Sequence, residues 1–88
     1  MEYYAYPCRL VKVLGCHERA LLLWYLRNKW NGIPMVVQTS DVLRDLSYRR
    51  RKFENARAWL IANGYVKLTG PCEYVVNAEL VDSIVKGG

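Results

Sequence analysis

Apolar positions along this chain change their period from segment to segment, and glycines mark most of the changes. Positions 20–26 read Ala-Leu-Leu-Leu-Trp-Tyr-Leu without a polar interruption. Within residues 16–31, Leu22, Leu23, Leu26 and Trp30 recur at helical spacing and define a core-facing stripe, while Leu21, Trp24 and Tyr25 fall on a second face. Asn31-Gly32 supplies the stop for this helix. Residues 49–63 are patterned differently. Phe53, Ala56 and Leu60 stand at i, i+3 and i+7, with Trp59 at the edge of the stripe. Arg51, Asn55, Ala58 and Ala62 lie opposite, and Asn63-Gly64 ends the helix. One helix is thus apolar nearly all round, and the other divides cleanly into a packed face and a polar face.

The intervening segments are shorter. Residues 33–38 form a β-type run that Pro34 confines to an edge or to a short length. Thr39-Ser40-Asp41 predicts a helix start with a hydroxyl N-cap and an acid in the first turn. Val42, Leu43 and Leu46 give that helix its buried side, and Ser47-Tyr48 make the turn into residues 49–63. After Gly64 come a strand at 65–68, a tight turn at 69–72 and a return strand at 73–76. Asn77 is placed to cap a last helix over 78–86 that carries Leu80, Val81, Ile84 and Val85. At the other end, Tyr3, Tyr4, Tyr6, Leu10, Val11, Val13 and Leu14 accompany Pro7. These predict an extended arm over 1–15, with a short turn of helix or strand at 9–14 as the alternative for that stretch. The whole reads as one domain: an arm (1–15), a core (16–76) and a C-terminal helix (77–86).

Composition narrows the class. The chain has 88 residues, is 52% hydrophobic and carries a net charge of +5. That excludes a disordered chain and leaves a single modest core. The charge is concentrated. Arg44, Arg49, Arg50, Arg51, Lys52 and Arg57 face Asp45 and Glu54 within residues 44–57, so +4 of the +5 lies in that window. Localised positive charge implies a polyanionic partner. No basic-then-apolar leader opens the chain, and its longest apolar run is far short of a membrane span, so an intracellular protein is expected. Cys8, Cys16 and Cys72 have no metal-ligand or disulfide-framework spacing. They read as buried thiols, with a Cys8–Cys72 bridge as the alternative in a source that tolerates intracellular disulfides. His17 and Glu18 lie in a helix first turn with no nucleophile or Gly-rich pocket nearby. They read as capping and dipole residues, and no catalysis, cofactor or metal is expected.

The order helix, short strand, short helix, turn, longer helix, hairpin resembles the winged helix-turn-helix family over residues 16–76. The resemblance is carried by Thr39-Ser40, Val42-Leu43, Leu46-Ser47, Arg50, Phe53, Ala56, Leu60 and Gly64-Tyr65-Val66 at their spacings. It implies an α+β, mostly helical fold with a two-stranded wing, and a recognition helix at 49–63 that enters the DNA major groove by its N-terminal part. Small microbial and archaeal-virus transcription regulators are similar in size and layout. The family's turn carries a small residue and then a hydroxyl near the recognition-helix start; here Ser47 is present but Arg49 holds the later position, and the short wing tip, Thr69-Gly70-Pro71-Cys72, lacks a cation.

These residues point to sequence-specific binding of double-stranded DNA. Arg50 and Arg51 are the candidates for guanine readout, with phosphate contact as the alternative. Asn55, on the side of Arg51, reads adenine, holds a phosphate or is simply solvated. Lys52 and Arg49 suit phosphate, though the wheel turns Arg49 toward the protein, where Asp45 or Asp41 could pair with it. Tyr48 offers a hydroxyl to phosphate or wedges the turn. Ser40 stands at a helix start that faces the backbone, and Lys67 is the wing's candidate contact. A homodimer is expected, because one such helix covers few base pairs, the arm at 1–14 is apolar and Tyr-rich, and the 16–31 helix has a second apolar face that either this arm or a second subunit must cover. Its interface is predicted from Tyr3, Tyr4, Leu21, Trp24, Tyr25 and Ile84. No membrane or small-molecule partner is evident. A protein–protein adaptor and a factor in replication or genome packaging are the other classes that share this architecture.

Overall fold

The computed structural model describes residues 8–29 and 34–86. Their elements are α1 (Cys8–Leu14), α2 (His17–Lys29), β1 (Met35–Val36), α3 (Thr39–Leu46), α4 (Arg50–Ala62), β2 (Val66–Gly70), β3 (Glu73–Val76) and α5 (Ala78–Val85). The fold is α+β and mostly helical. From α2 to β3 the elements follow the order that the apolar pattern predicts. Tyr3, Tyr4, Trp30 and the Asn31-Gly32 stop lie outside the described residues.

The described part of the predicted arm takes the helical alternative and is not extended. Residues 8–14 form a helix that packs on α2 and α5. Leu10 and Leu14, one turn apart, are both fully buried and drive that packing. Gly15 ends the helix at φ +76°, with its amide on the Val11 carbonyl at 2.8 Å. This is a backbone conformation that glycine adopts without a Cβ penalty.

The second apolar face of α2 is also covered within the protomer at Leu21 and Tyr25. Ala20, Leu21, Leu22, Leu23, Tyr25 and Leu26 are all buried within the protomer. Leu21 and Tyr25 are therefore core residues, and their assignment to a subunit interface is corrected. α2 is tied to each of the other helices. It packs on α1 and α4. The Tyr25 hydroxyl donates to Asp45 Oδ2 on α3 at 2.6 Å. Arg27 makes a two-pronged contact with Asp82 on α5, at 3.3 and 3.1 Å. Trp24 and Ile84 are half-buried and pack against the core.

α3 has its N-cap one residue earlier than the hydroxyl signal suggests. Gln38 is that N-cap, with no side-chain cap bond, and Thr39 and Ser40 are already helical. The helix ends at Ser47, which takes a left-handed conformation with φ +56°. Tyr48 then returns its amide to the Leu43 carbonyl at 3.0 Å.

The strands form a three-stranded antiparallel sheet in the order β1-β3-β2, so the expected two-stranded hairpin gains β1 as an edge. Met35 pairs with Tyr74 and Val36 with Glu73. Along β3, Tyr74 and Val76 are buried while Glu73 and Val75 are half-exposed, the alternation of a sheet with one covered face. In β2 only Val66 is buried, and Lys67, Leu68 and Thr69 project into solvent. The register shifts between Leu68 and Gly70, which leaves Thr69 as a bulge. Thr69 Oγ1 donates to Glu73 Oε1 at 2.7 Å across the tip. Cys72 occupies a left-handed position in the turn, with φ +59°. It is a free thiol, so the alternative Cys8–Cys72 bridge is not formed. Asn77 caps α5 as the sequence predicts, accepting from the Leu80 amide at 3.2 Å.

Candidate nucleic-acid interface

α4 is held along one side only. Phe53, Ala56 and Leu60 are buried, whereas Arg50, Arg51, Lys52, Asn55, Ala58 and Ala62 are exposed. Its far end is locked by a Schellman arrangement. The Tyr65 amide reaches back to the Leu60 carbonyl at 3.0 Å and the Gly64 amide to Ile61 at 3.2 Å, with Gly64 at φ +82°. The apolar contact that accompanies this motif is a stack of Tyr65 on Trp59, with ring centroids 5.8 Å apart. The Arg19 guanidinium from α2 lies 4.3 Å from the Trp59 centroid. The Asn77 amide donates to the Tyr65 carbonyl at 2.9 Å, which fastens the start of α5 to the same turn.

The near end of α4 is open. Arg49 is the N-cap, extended at φ −82° and ψ 153°, and offers no side-chain cap. Its carbonyl accepts from the Phe53 amide at 3.1 Å, the first bond of the helix. The amides of Arg50, Arg51 and Lys52 therefore precede the helical ladder and point outward with the positive end of the helix dipole.

The four cations at this end differ in their engagements. Arg50 Nη1 lies 3.9 Å from Glu54 Oε2, an exposed one-turn pair worth ~0.3–0.5 kcal/mol. Lys52 Nζ lies 3.8 Å from Glu18 Oε1 on α2 and 5.5 Å from the Tyr48 ring centroid. Among the described residues, Arg49 and Arg51 make no ion pair. The predicted pairing of Arg49 with Asp41 or Asp45 is not formed; Arg44 engages both carboxylates instead, at 3.1 and 3.5 Å. Arg57 is committed to the protein: it donates to the Tyr74 hydroxyl at 3.3 Å and covers Phe53.

Tyr48 is a wedge. Its hydroxyl donates to the Glu18 carbonyl at 2.9 Å and its ring packs against the core, so the alternative role as a phosphate contact is set aside. Ser40 is exposed in the first turn of α3, and Lys67 is exposed on β2. Both are separate from the cluster formed by Arg49, Arg51, Lys52 and Asn55.

That cluster lines a groove of about 460 Å³ whose opposite wall is the start of α2, contributed by Cys16, Glu18 and Arg19. The sequence pattern does not bring these three into the site, since they lie some thirty residues away and meet α4 through tertiary packing. Arg19 is fixed there by its bond to the Leu14 carbonyl at 2.9 Å and by Trp59. Glu18 Oε2 accepts from the Cys16 thiol at 2.8 Å. That bond, the Glu18 amide and the nearby Lys52 and His17 together hold its carboxyl below the ordinary carboxylate value, against the opposing effect of partial burial. Four cations facing one ionised carboxylate leave a strongly positive groove beside an uncapped helix end, an arrangement suited to oxyanions.

Compared with protein-family models, curated proteins and solved structures, the chain matches none. Among the described residues, no helix is long and apolar enough to cross a membrane, and no group of His, Cys, Asp and Glu side chains could hold a metal ion.

Proposed function

We propose that this chain is a winged-helix protein that binds double-stranded DNA and acts as a transcription regulator, with the N-terminal half of α4 in the major groove. The observation that carries this reading is the opening turn of α4. It presents Arg49 and Arg51 without ion-pair partners among the described residues, on a helix whose buried stripe is on the other side. Arg51 and Asn55, one turn apart, form the outward ridge. Arginine bidentate to guanine and asparagine bidentate to adenine are the pairings such a ridge makes. Arg49, Lys52 and the free amides hold the flanking phosphates. The small side chains of Ala58 and Ala62 continue the exposed face and let the duplex approach the helix closely. Lys67 on β2 supplies the wing's backbone contact, and Ser40 lies at the start of α3, the helix that crosses the backbone in this motif.

A pair of copies belongs to this reading, because two half-sites one helical turn apart give the specificity that one helix lacks. Of the predicted interface residues with described side chains, Trp24 and Ile84 keep partial exposure. Sedimentation at high micromolar concentration tests the pairing, and a monomer there removes it.

The test of DNA binding is fluorescence anisotropy on duplex DNA across a salt series. Replacing Arg49 and Arg51 together by alanine should weaken binding and lower the log–log salt slope by ~0.9 for each phosphate that is no longer neutralised. Unchanged affinity and slope in that variant would refute the reading.

A further inference from the structure

We propose that the groove between the first turns of α2 and α4 seats one phosphate of the DNA backbone, and that Glu18 is the resident competitor for that seat. In the free protein the Glu18 carboxylate holds Lys52, and on binding Lys52 exchanges it for the phosphate. This rests on the DNA-binding reading above and adds the regulation of the same site.

Three observations carry it. The first is the composition of the groove. Among the described residues, Arg19, Arg49, Arg51 and Lys52 line it against a single anion, so an incoming oxyanion meets net positive charge even with Glu18 present. The second is the quality of the Lys52–Glu18 pair. At 3.8 Å, with half of the lysine side chain exposed, it is a long contact of the kind that contributes little and opens readily. The third is how Glu18 is held. Its second oxygen stays on the Cys16 thiol at 2.8 Å, so the carboxylate keeps a partner just before α2 when Lys52 leaves. Arg19, by contrast, is fixed by the Leu14 carbonyl and Trp59 and sets the positive floor of the groove.

A tethered carboxylate competes at an effective concentration of order millimolar, so a dilute free phosphate does not displace it. A backbone phosphate delivered by a duplex already held at Arg51 and Asn55 arrives at a comparable effective concentration and does. Glu18 thereby weakens loose, non-specific attachment more than attachment in register.

The test is Glu18→Gln, which removes the charge and keeps the size and an oxygen for Cys16. Circular dichroism and melting establish that the variant is folded. On random-sequence duplex at low salt, affinity should rise about three- to tenfold, and the salt slope should steepen by up to ~0.9. In a Lys52→Gln background the gain from Glu18→Gln should fall to less than half. If the wild-type protein binds duplex and Glu18→Gln leaves affinity unchanged, the competitor role is wrong. An equal gain with and without Lys52 also overturns it, since Glu18 then acts only as a distant charge. If the wild-type protein binds no duplex, the DNA reading fails by itself and tripolyphosphate titration decides the seat. Amide shifts at Arg49 and Lys52 that strengthen in Glu18→Gln retain the seat for phosphate, and identical titrations in both proteins discard it.

Discussion

α2 and α4 are both thirteen residues long, but they are built for opposite purposes. α2 buries six residues, four of them consecutive, and is fastened to α1, α3, α4 and α5. α4 buries three residues on one stripe and leaves its cationic opening turn in solvent. A helix enclosed by its neighbours gives up its surface and becomes a frame. A helix held by a single stripe keeps most of its surface for something else. The charge follows the same division: the cations of α4's first turn are exposed, whereas Arg27 of α2 is engaged with Asp82.

The sharpest way to break this comparison is to truncate each helix. Leu23→Ala in α2 removes a fully buried side chain and should cost ~2–5 kcal/mol in urea unfolding. Asn55→Ala in α4 should stay within ~0.5 kcal/mol. Similar losses in the two variants would mean that α4 is also part of the frame.

A smaller effect sharpens the link between α2 and α3. The Tyr25 hydroxyl, followed by the charges of Arg44 and Lys29, holds the Asp45 carboxyl below its ordinary value of 3.8. Because the folded-state value is the lower one, this stabilisation is complete above the ordinary value. It declines as pH falls past that value and is lost below the folded one. Tyr25→Phe should therefore be less stable than the wild type at neutral pH, and the gap should narrow as the solution is acidified below pH ~4. Denaturant midpoints measured along that range check the sign, and a gap that widens toward acid would contradict it.

The smallest effect concerns the turn that delivers α4. Ser47 is exposed and left-handed, a conformation that costs a residue with a Cβ ~1–2 kcal/mol. Ser47→Gly relieves that cost but adds freedom to the unfolded chain, so the net gain should be at most ~1 kcal/mol. Thermal melts that show a loss instead would point to a role for the serine side chain.

The same comparison explains what can be read from the sequence. α4 is legible because its apolar and polar positions segregate, and the spacing of Phe53, Ala56 and Leu60 translates directly into a buried stripe. The Asn77 cap is legible because capping is local. The second face of α2 is not, because periodicity identifies apolar residues without saying what covers them. α1, which also packs on α2, is itself hard to read, because its seven residues are too few to display a period and its sequence follows Pro7 and a run of tyrosines. The start of α3 moves by one residue because Gln38 takes the cap position that the hydroxyl of Thr39 suggests for itself. The groove is the least legible feature. Its two walls belong to segments far apart in the chain, and only the packing of α2 on α4 sets Glu18 opposite Lys52.

The stack of Trp59 on Tyr65 gives α4 a fulcrum. Arg51 stands eight residues before Trp59, about 12 Å along the axis at ~1.5 Å per residue. A rocking of ~5° about the stack therefore displaces the Arg51 backbone by on the order of 1 Å, enough to spoil a two-pronged hydrogen bond. The accuracy with which the open end is aimed thus depends in part on the closed end, where the same Trp59 ring also carries Arg19 of the groove floor.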